Sequence, residues 1–290
     1  MEAVVTAGLD GSPESRSAAR WAADEAARRG LSLRLVHASV PLAPTAADIP
    51  SKNTQRHWAQ RLLRDTESEL RELHPGLPIT TELISEETTD ALLTAGEACA
   101  MLVLGSRGIG PVAGFFLGDI GLHVVARADR PVVLVRAGEQ QNDQASRAEA
   151  TSVVVGLSLR RRCEEVLEFA FAAAARRGTV LRAVHCRSLP VPASALWYPS
   201  PEAAEAVARA VSQELRTVLR PWQERFPGVR VIDEVMFDSA ARAMATVASG
   251  STLLVMGRRR DRPALAPDIG PVAHAAIHHA ICPVAVVAHD

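Results

Sequence analysis

The chain has 290 residues, of which 48% are hydrophobic and 4% aromatic, and its 32 basic side chains nearly balance 33 acidic ones. This length suits two domains better than one, and an apolar content near one half excludes a disordered chain. A net charge of −1 leaves no global field to hold nucleic acid or an acidic membrane. The N-terminus has no signal-peptide pattern and no apolar run is long enough for a membrane helix, so we expect a soluble, cytoplasmic protein.

The first half of the sequence alternates short apolar runs with amphipathic stretches. The apolar runs predict five strands, at 3–8, 32–38, 78–83, 101–105 and 131–136. The stretches between them predict helices near 13–29, 54–74, 88–98 and 118–129. This alternation is typical of a five-stranded parallel sheet with helices on both faces, and right-handed crossovers then give a doubly wound, Rossmann-like α/β fold.

The second half repeats the first with a period near 150 residues. The tetrapeptide Ala-Arg-Arg-Gly at 27–30 recurs at 175–178, a shift of 148, and Pro131-Val132 recurs as Pro283-Val284, a shift of 152. Four residues are therefore inserted in the second copy, after the residue that matches His37. A period of this size indicates a duplicated domain. We predict tandem domains at 1–137 and 151–290, joined by a polar linker at 138–150.

Two glycine-bearing segments of the first copy follow strands, where open parallel sheets bind their ligands. Gly8-Leu9-Asp10-Gly11-Ser12 follows the first strand; Gly105-Ser106-Arg107-Gly108 follows the fourth, and Gly118-Asp119 comes after nine further residues. Glycines let backbone amides approach a phosphate, and the free N–H groups that open the next helix favour an anion. Asp10 can accept hydrogen bonds from a ribose hydroxyl or an adenine amine. Each segment alone is also an ordinary turn, but together they predict a mononucleotide pocket.

The whole chain resembles a tandem universal stress protein, with two UspA-type domains in one polypeptide. The resemblance rests on residues 7–15, 35–38, 102–108 and 131–135. ATP-binding members of that family have an aspartate after strand one and the motif G-x2-G-x9-G-[S/T] after strand four. The resemblance implies that Asp10 meets the adenosine and Ala38 the adenine of ATP. It also implies a set of residues around the ribose and phosphates: Gly105, Arg107, Gly108, Gly118, Asp119 and Ile120.

Asp119 departs from the family pattern, which has serine or threonine at this position. A carboxylate about 4 Å from a phosphate charge costs roughly 4 kcal/mol at an effective dielectric constant of 20, unless a cation bridges the two. We therefore expect Asp119 either to weaken ATP binding or to make it depend on Mg²⁺. Asp119 is also a good helix N-cap without any ligand. Elsewhere the cysteines have no metal-ligand spacing and the three histidines near 274–279 lack an accompanying glutamate, so we predict no metal site in the protein itself.

The second copy keeps the spacing of the motif but replaces residues that would bind the nucleotide. The positions that match Asp10, Gly108 and Asp119 are occupied by Ser158, Arg260 and Pro271. Residues 1–140 carry 14 basic and 18 acidic side chains, whereas residues 151–290 carry 17 and 13. Much of this excess lies in the arginines at 160–162 and 258–262. The run at 257–262 is predicted to be a solvated loop, with a site for a phosphate-bearing partner as the alternative.

Two functions remain open at this point. The first is an ATP-binding regulatory stress-response protein with its site in the N-terminal domain, with no catalytic residues and at most a very slow ATPase. The second is an interaction module in which both pockets are vestigial and a basic surface on the second domain binds an unidentified protein partner. An enzyme related to adenine-nucleotide alpha-hydrolases is disfavoured, because the loop after strand one lacks their SGGxDS pattern. The last strands would be sheet edges and thus pairing surfaces. Because these strands associate in related proteins, the resemblance implies that the two copies pack as a pseudo-dimer, and a homodimer is a further expectation.

Overall fold

The computed structural model describes residues 4–38, 40, 51–106, 119–137, 152–161, 163–187, 201–261 and 268–290. The chain divides into two compact units, Met1–Gln144 and Ala145–Asp290. In each unit, parallel strands alternate with helices, which confirms the predicted α/β fold of two Rossmann-like domains. The predicted linker at 138–150 lies outside the described residues. None of the described helices has the length and hydropathy required to cross a membrane.

The first unit is built around a parallel sheet in the order β3-β2-β1-β4-β5. Its strands are β1 (Val4–Gly8), β2 (Ser32–Ala38), β3 (Ile79–Ile84), β4 (Met101–Ser106) and β5 (Val132–Arg136). Its described helices are α1 (Pro13–Arg29), α2 (Lys52–Leu73), α3 (Thr88–Glu97) and α4 (Asp119–Arg127). Each predicted strand and helix of this unit is present, with ends that differ by a few residues at most.

The second unit has the same strand order, β10-β9-β6-β7-β8, again with parallel pairing throughout. Its strands are β6 (Ser152–Leu157), β7 (Val180–Cys186), β8 (Val231–Met236), β9 (Ser251–Arg259) and β10 (Val284–His289). Its described helices are α5 (Glu164–Arg177), α6 (Pro201–Arg225), α7 (Ala240–Ala248) and α8 (Pro271–His279).

The repeated Ala-Arg-Arg-Gly segment is the end of the first helix in each unit. Gly30 and Gly178 follow α1 and α5 in the left-handed conformation, with φ of 63° and 61°. The N–H of Gly30 reaches back to the carbonyls of Ala26 and Ala27, so it closes the helix end. Glycine adopts this conformation without the steric cost of a Cβ atom. The repeat in the sequence therefore marks a helix stop that precedes β2 and β7.

The core of each unit lies between the sheet and its helices. The central strands are almost completely buried, which explains why their sequences are apolar without interruption: β4 begins with Met101-Leu102-Val103-Leu104, and β6 contains Val153-Val154-Val155. Helix α1 is buried along a face of alanines, which allows it to approach the sheet closely. This close approach has consequences for the candidate site.

Candidate functional site

Three neighbouring strands of the first unit, β2, β1 and β4, end beside one another. The winding of the sheet reverses between β1 and β4, and open α/β sheets bind ligands beyond the carboxyl ends of strands at such a point. The observed register of β1 with its two neighbours, continued past the strand ends, sets Asp10 level with Ala38 on β2 and Ser106 on β4. In this continuation, residues 28 or more positions apart in the chain lie at one level because the strands are parallel.

The loop after β1 is held by a buried histidine. Nδ1 of His37 lies 2.7 Å from the carbonyl oxygen of Leu9. Because that oxygen can only accept, Nδ1 carries the hydrogen and donates it. The backbone N–H of Leu9 donates in turn to Val36 at 2.8 Å, so Leu9 is fixed from both sides. The turn that follows is possible because Gly11 takes a positive φ of 87°.

Asp10 is exposed at the end of this loop and is tied to the first helix. Its Oδ1 accepts hydrogen bonds from the backbone N–H of Ser12 at 2.8 Å and from the Ser12 hydroxyl at 2.5 Å. The Ser12 oxygen also accepts from the N–H of Ser15 at 3.1 Å, which makes it the N-cap of α1. The carboxylate thus lies near the N-terminus of α1, where the helix dipole favours a negative charge. Asp10 has a structural role in addition to any role in binding.

Ala38 ends β2 and is only 8% exposed. Its carbonyl accepts a hydrogen bond from the Thr88 hydroxyl at 3.2 Å, which links the end of β2 to the start of α3. The matching position in the second unit is Cys186, which is half-buried.

Gly105 packs against helix α1. A Cβ atom added to Gly105 would lie 2.6 Å from the carbonyl carbon of Glu14 and 2.6 Å from the backbone nitrogen of Ser15. Real Cβ atoms essentially never come so close to backbone atoms. The structure thus gives this glycine a packing role in addition to the predicted phosphate contact, and sequence reasoning missed it because the contact joins β4 to the first turn of α1.

Ser106 is a polar residue of the motif that sequence reasoning did not single out. Its side chain is 2% exposed, and its hydroxyl has no hydrogen-bond partner within the part of the chain that the structure describes. A buried hydroxyl without a partner costs free energy, which makes Ser106 at the end of β4 a candidate site residue. Its position inside the glycine motif was the only signal in the sequence.

The remaining predicted phosphate-side residues are described only in part. Arg107, Gly108 and Gly118 lie outside the described residues. Asp119 is the first residue of α4, although its side chain is outside the description, and Ile120 is 41% exposed in the same first turn. A helix does begin within one residue of the predicted start, so its free N–H groups are available at this end of the unit.

The second unit repeats the histidine bond but has lost the aspartate. His185 Nδ1 lies 2.9 Å from the carbonyl of Leu157, as His37 does from Leu9. Ser158 is exposed at the position of Asp10. The scaffold that orients the loop was therefore kept, whereas the carboxylate it orients in the first unit was not.

The arginine run of the second unit is not the solvated loop that the sequence predicted. Strand β9 continues to Arg259, and Arg258 is only 5% exposed. Arg260 donates to Glu165 at 2.9 Å and to Asp290 at 3.2 Å, and the hydrogen bond to Glu165 is the main reason that its pKa is raised. The loop prediction was wrong because β10 pairs with this segment and is followed by Asp290, whose carboxylate accepts a hydrogen bond from Arg260. Arg262 lies outside the described residues.

The histidines near the C-terminus form a pair on one helix. The rings of His274 and His278 lie 4.4 Å apart on α8. Within the described ranges, no group of three or more potential ligand side chains is placed to hold a metal ion.

Comparison with known proteins agrees with this architecture. The sequence model of the universal stress protein family matches residues 3–136 and 149–288. A universal stress protein of Mycolicibacterium smegmatis is 29% identical over 298 residues, which cover 98% of this chain and 96% of the relative. One from Mycobacterium tuberculosis is 29% identical over 293 residues, with coverage of 97% and 96%.

A solved structure of similar extent is that of a universal stress protein from Archaeoglobus fulgidus. It has a TM-score of 0.67 and 16% sequence identity, and the match covers 99% of this chain and 98% of that one. At this identity the likeness concerns the fold. With the family match over both units, it follows that the chain belongs to the universal stress protein family and carries two family domains in tandem.

Proposed function

We propose that the protein binds an adenine nucleotide, with ATP as the ligand, at the carboxyl ends of β1, β2 and β4 of its N-terminal domain. The observation that carries the proposal is the parallel register of β1 with β2 and β4, which supports a common level for Asp10, Ala38 and Ser106 when it is continued past the strand ends. We take the domains as 1–137 and 151–290, with the linker at 138–150. The protein then acts as a regulatory stress-response protein in which nucleotide occupancy is the signal, rather than as an enzyme.

Each residue has a distinct part in this arrangement. The Asp10 carboxylate accepts hydrogen bonds from the adenosine, and the small side chain of Ala38 leaves room for the adenine ring. Ser106 offers a buried hydroxyl next to the ligand, where it gains the partner that it lacks among the described residues. The phosphates extend towards the first turn of α4, where free backbone N–H groups and the helix dipole favour an anion.

Mg²⁺ would act at the phosphate end of this site. Asp119 begins α4 and adds a carboxylate beside the triphosphate. A divalent cation with oxygen ligands from that carboxylate and from the phosphates removes the repulsion between them. ATP binding by this protein is therefore proposed to strengthen with Mg²⁺.

The experiment compares nucleotide binding by the wild type and by the Asp10→Asn variant. Asparagine keeps an oxygen that accepts from Ser12, so the turn and the cap of α1 are retained while the charge is lost. Nucleotide that co-purifies is identified by mass spectrometry, and the affinity for ATP is measured by calorimetry. Hydrogen bonds to charged groups contribute about 1.5–3 kcal/mol, so we expect Asp10→Asn to weaken ATP binding by tenfold or more.

The matched control is Ser158→Ala, which changes the corresponding position of the second unit. It should leave ATP affinity unchanged. Wild-type protein that binds no adenine nucleotide, or an Asp10→Asn variant that binds ATP as tightly as the wild type, would contradict the proposal.

A second candidate function is an interaction module that binds no nucleotide. It is favoured by the fact that Asp10 already has a structural role, because its Oδ1 accepts two hydrogen bonds from Ser12. In that case Asp10→Asn has no effect on any ligand, and stability alone responds to changes in this loop. The same experiment therefore separates the two functions.

A further inference from the structure

A cavity of about 650 Å³ lies in the second unit, between the start of α5 and the C-terminal half of α6. It is far along the chain from the residues of the proposed nucleotide site and belongs to the other unit. Its volume is within the range of small-molecule sites in proteins. The argument for a ligand rests on its walls, on its charge and on its counterpart in the first unit.

One wall of the cavity is apolar and firmly held. Trp222 of α6 stacks on Phe171 at 6.1 Å and on Phe226 at 6.5 Å between ring centroids. The guanidinium of Arg225 lies 5.4 Å from the Trp222 ring centroid, and Arg225 is neutralised by Glu168 at 2.7 Å. These contacts fix the indole in one orientation, so the apolar surface is present before a ligand arrives.

The opposite wall is formed by the first turns of α5. Leu167 is buried there, and the thiol of Cys163 is 8% exposed. Burial, together with the nearby carboxylate of Glu165, raises the pKa of Cys163 to about 11. The thiol therefore stays neutral at physiological pH and acts as a small apolar group. Val218, from α6, adds a further apolar side chain to the lining.

The mouth of the cavity is cationic. Arg160 and Arg161 line it, and both side chains are exposed and make no hydrogen bond or ion pair with the residues that the structure describes. Glu164 is the acidic member of the lining, and the third arginine, Arg225, pairs with Glu168, so Arg160 and Arg161 exceed Glu164 by one positive charge. Helix α5 also starts here, and its N-cap residue makes no side-chain hydrogen bond to the first turn. An anion at this mouth would meet two guanidinium groups near a helix N-terminus.

The first unit has a cavity at the corresponding place, with different chemistry. That cavity, of about 430 Å³, is lined by Arg16, Arg61, Asp65 and Glu69 among others. Its charges balance, and Arg61 faces Asp65 at 3.5 Å. A shift of 152 residues replaces Asp65 by Thr217, Thr66 by Val218, Glu69 by Pro221 and Leu70 by Trp222. The two acidic residues of this helix face are thus replaced by neutral ones in the second copy, and a leucine is replaced by tryptophan. The arginines of the first cavity are replaced as well, Arg16 by Glu164 and Arg61 by Gln213, so the positive charge of the second cavity comes from other positions.

The loop before α5 also differs from its counterpart before α1, because it carries a positive charge. Ser12, the N-cap of α1, corresponds at a shift of 148 to Arg160. In the second unit the helix begins three residues later: Arg160 lies three residues before Cys163, the N-cap of α5, which makes no side-chain hydrogen bond to the first turn. Loss of the internal cap and gain of a cation both make the site more attractive to an external anion.

We propose that this cavity binds a small amphipathic organic anion, with an aliphatic body against Trp222, Leu167 and Val218 and a carboxylate between Arg160 and Arg161. A medium-chain fatty acid has this chemistry. The site is independent of the proposed nucleotide site, because it shares no residue with it and lies in the other unit.

The test measures binding of decanoate by calorimetry and by quenching of tryptophan fluorescence, with decanol as the neutral ligand of the same length. We expect decanoate to bind at least tenfold more tightly than decanol, and its binding to weaken as salt is raised from low to physiological concentration. The charge-reversed variant Arg160→Glu/Arg161→Glu should lose at least tenfold in decanoate affinity. Its affinity for decanol should stay the same.

The matched control is Arg16→Glu/Arg61→Glu, which reverses the charges of the corresponding cavity in the first unit and should leave decanoate binding unchanged. If the charge-reversed variant does not fold, Arg160→Gln/Arg161→Gln provides the same comparison. The proposal is overturned if wild-type protein binds no decanoate, if decanoate and decanol bind equally, or if both cavity variants lose affinity to the same extent.

Discussion

Replacement of Gly105 by alanine should destabilise the first unit, because the added methyl group would meet backbone and not a flexible side chain. The new Cβ would lie 2.6 Å from both the carbonyl carbon of Glu14 and the nitrogen of Ser15. Carbon atoms in contact are normally about 3.5 Å apart, so β4 and α1 must separate by roughly 0.9 Å. The backbone of α1 cannot move away locally, because the Glu14 carbon and the Ser15 nitrogen both belong to the first turn of this 17-residue helix.

The expected cost follows from this geometry. Overpacking a well-packed core costs about 1–3 kcal/mol, and a clash with backbone belongs in the upper part of that range. We therefore expect the free energy of unfolding of the first unit to fall by about 2–3 kcal/mol. With an unfolding entropy of about 2.1 cal/mol/K per residue over some 144 residues, the melting temperature should fall by about 7–10 °C.

The assay is urea and thermal unfolding followed by tryptophan fluorescence, in which the buried Trp21 of α1 reports on the first unit. Gly76→Ala is the control, since a Cβ at Gly76 has no heavy atom within 4 Å and should change stability little. A Cβ at Gly257 in the second unit would meet a side chain and not backbone, the His289 ring at 2.8 Å, so the effect of Gly257→Ala should be smaller. Equal unfolding midpoints for Gly105→Ala and Gly76→Ala would refute the packing argument.

Three further predictions concern single side chains. Ser12→Ala removes the N-cap oxygen that accepts from Ser15, so unfolding of the first unit should become easier by about 1 kcal/mol in urea; an unchanged midpoint would show that the cap contributes nothing. Burial, and after it the carboxylate of Glu165, raises the pKa of Cys163 from its usual 9.0 to about 11, so its alkylation in the folded protein should stay slow until the pH approaches 11. The pKa of this thiol is higher in the folded than in the unfolded state, so the stability that the neutral thiol contributes is complete below pH 9 and is lost as the pH rises towards 11. A Cys163→Ala variant should lack this part of the pH dependence of the free energy of unfolding. Finally, Asp119→Ser should tighten ATP binding about tenfold in metal-free buffer and less with Mg²⁺, and equal calorimetric affinities of the two proteins without metal would contradict the repulsion argument.

The sequence predicted the general place of the candidate site because its parts are local. Asp10 follows an apolar run, and the glycine motif follows another, so each can be recognised within about ten residues. The sequence did not identify Ser106, because a serine between a glycine and an arginine has no distinctive pattern. Its burial depends on neighbours that the fold brings from elsewhere in the chain.

The arginine run at 257–262 shows where local reasoning failed. Consecutive arginines predict a solvated loop, but Arg258 is buried and Arg260 pairs with two carboxylates. The pairing partners, Glu165 and Asp290, lie 95 and 30 residues away in the chain. Nothing in the sequence near the arginines indicates either contact.

The sequence alone determined the class of the fold, the duplication and the family resemblance, because the burial of strands and the ends of helices leave patterns that can be read over short distances. Only the tertiary structure decided what individual side chains face. It gave Gly105 a packing contact with α1, tied Asp10 to the cap of that helix, and opened a cavity beside Arg160 and Trp222 in the second unit. The physical reason is that these properties depend on contacts between segments distant in the chain, and such contacts are set by packing rather than by local periodicity.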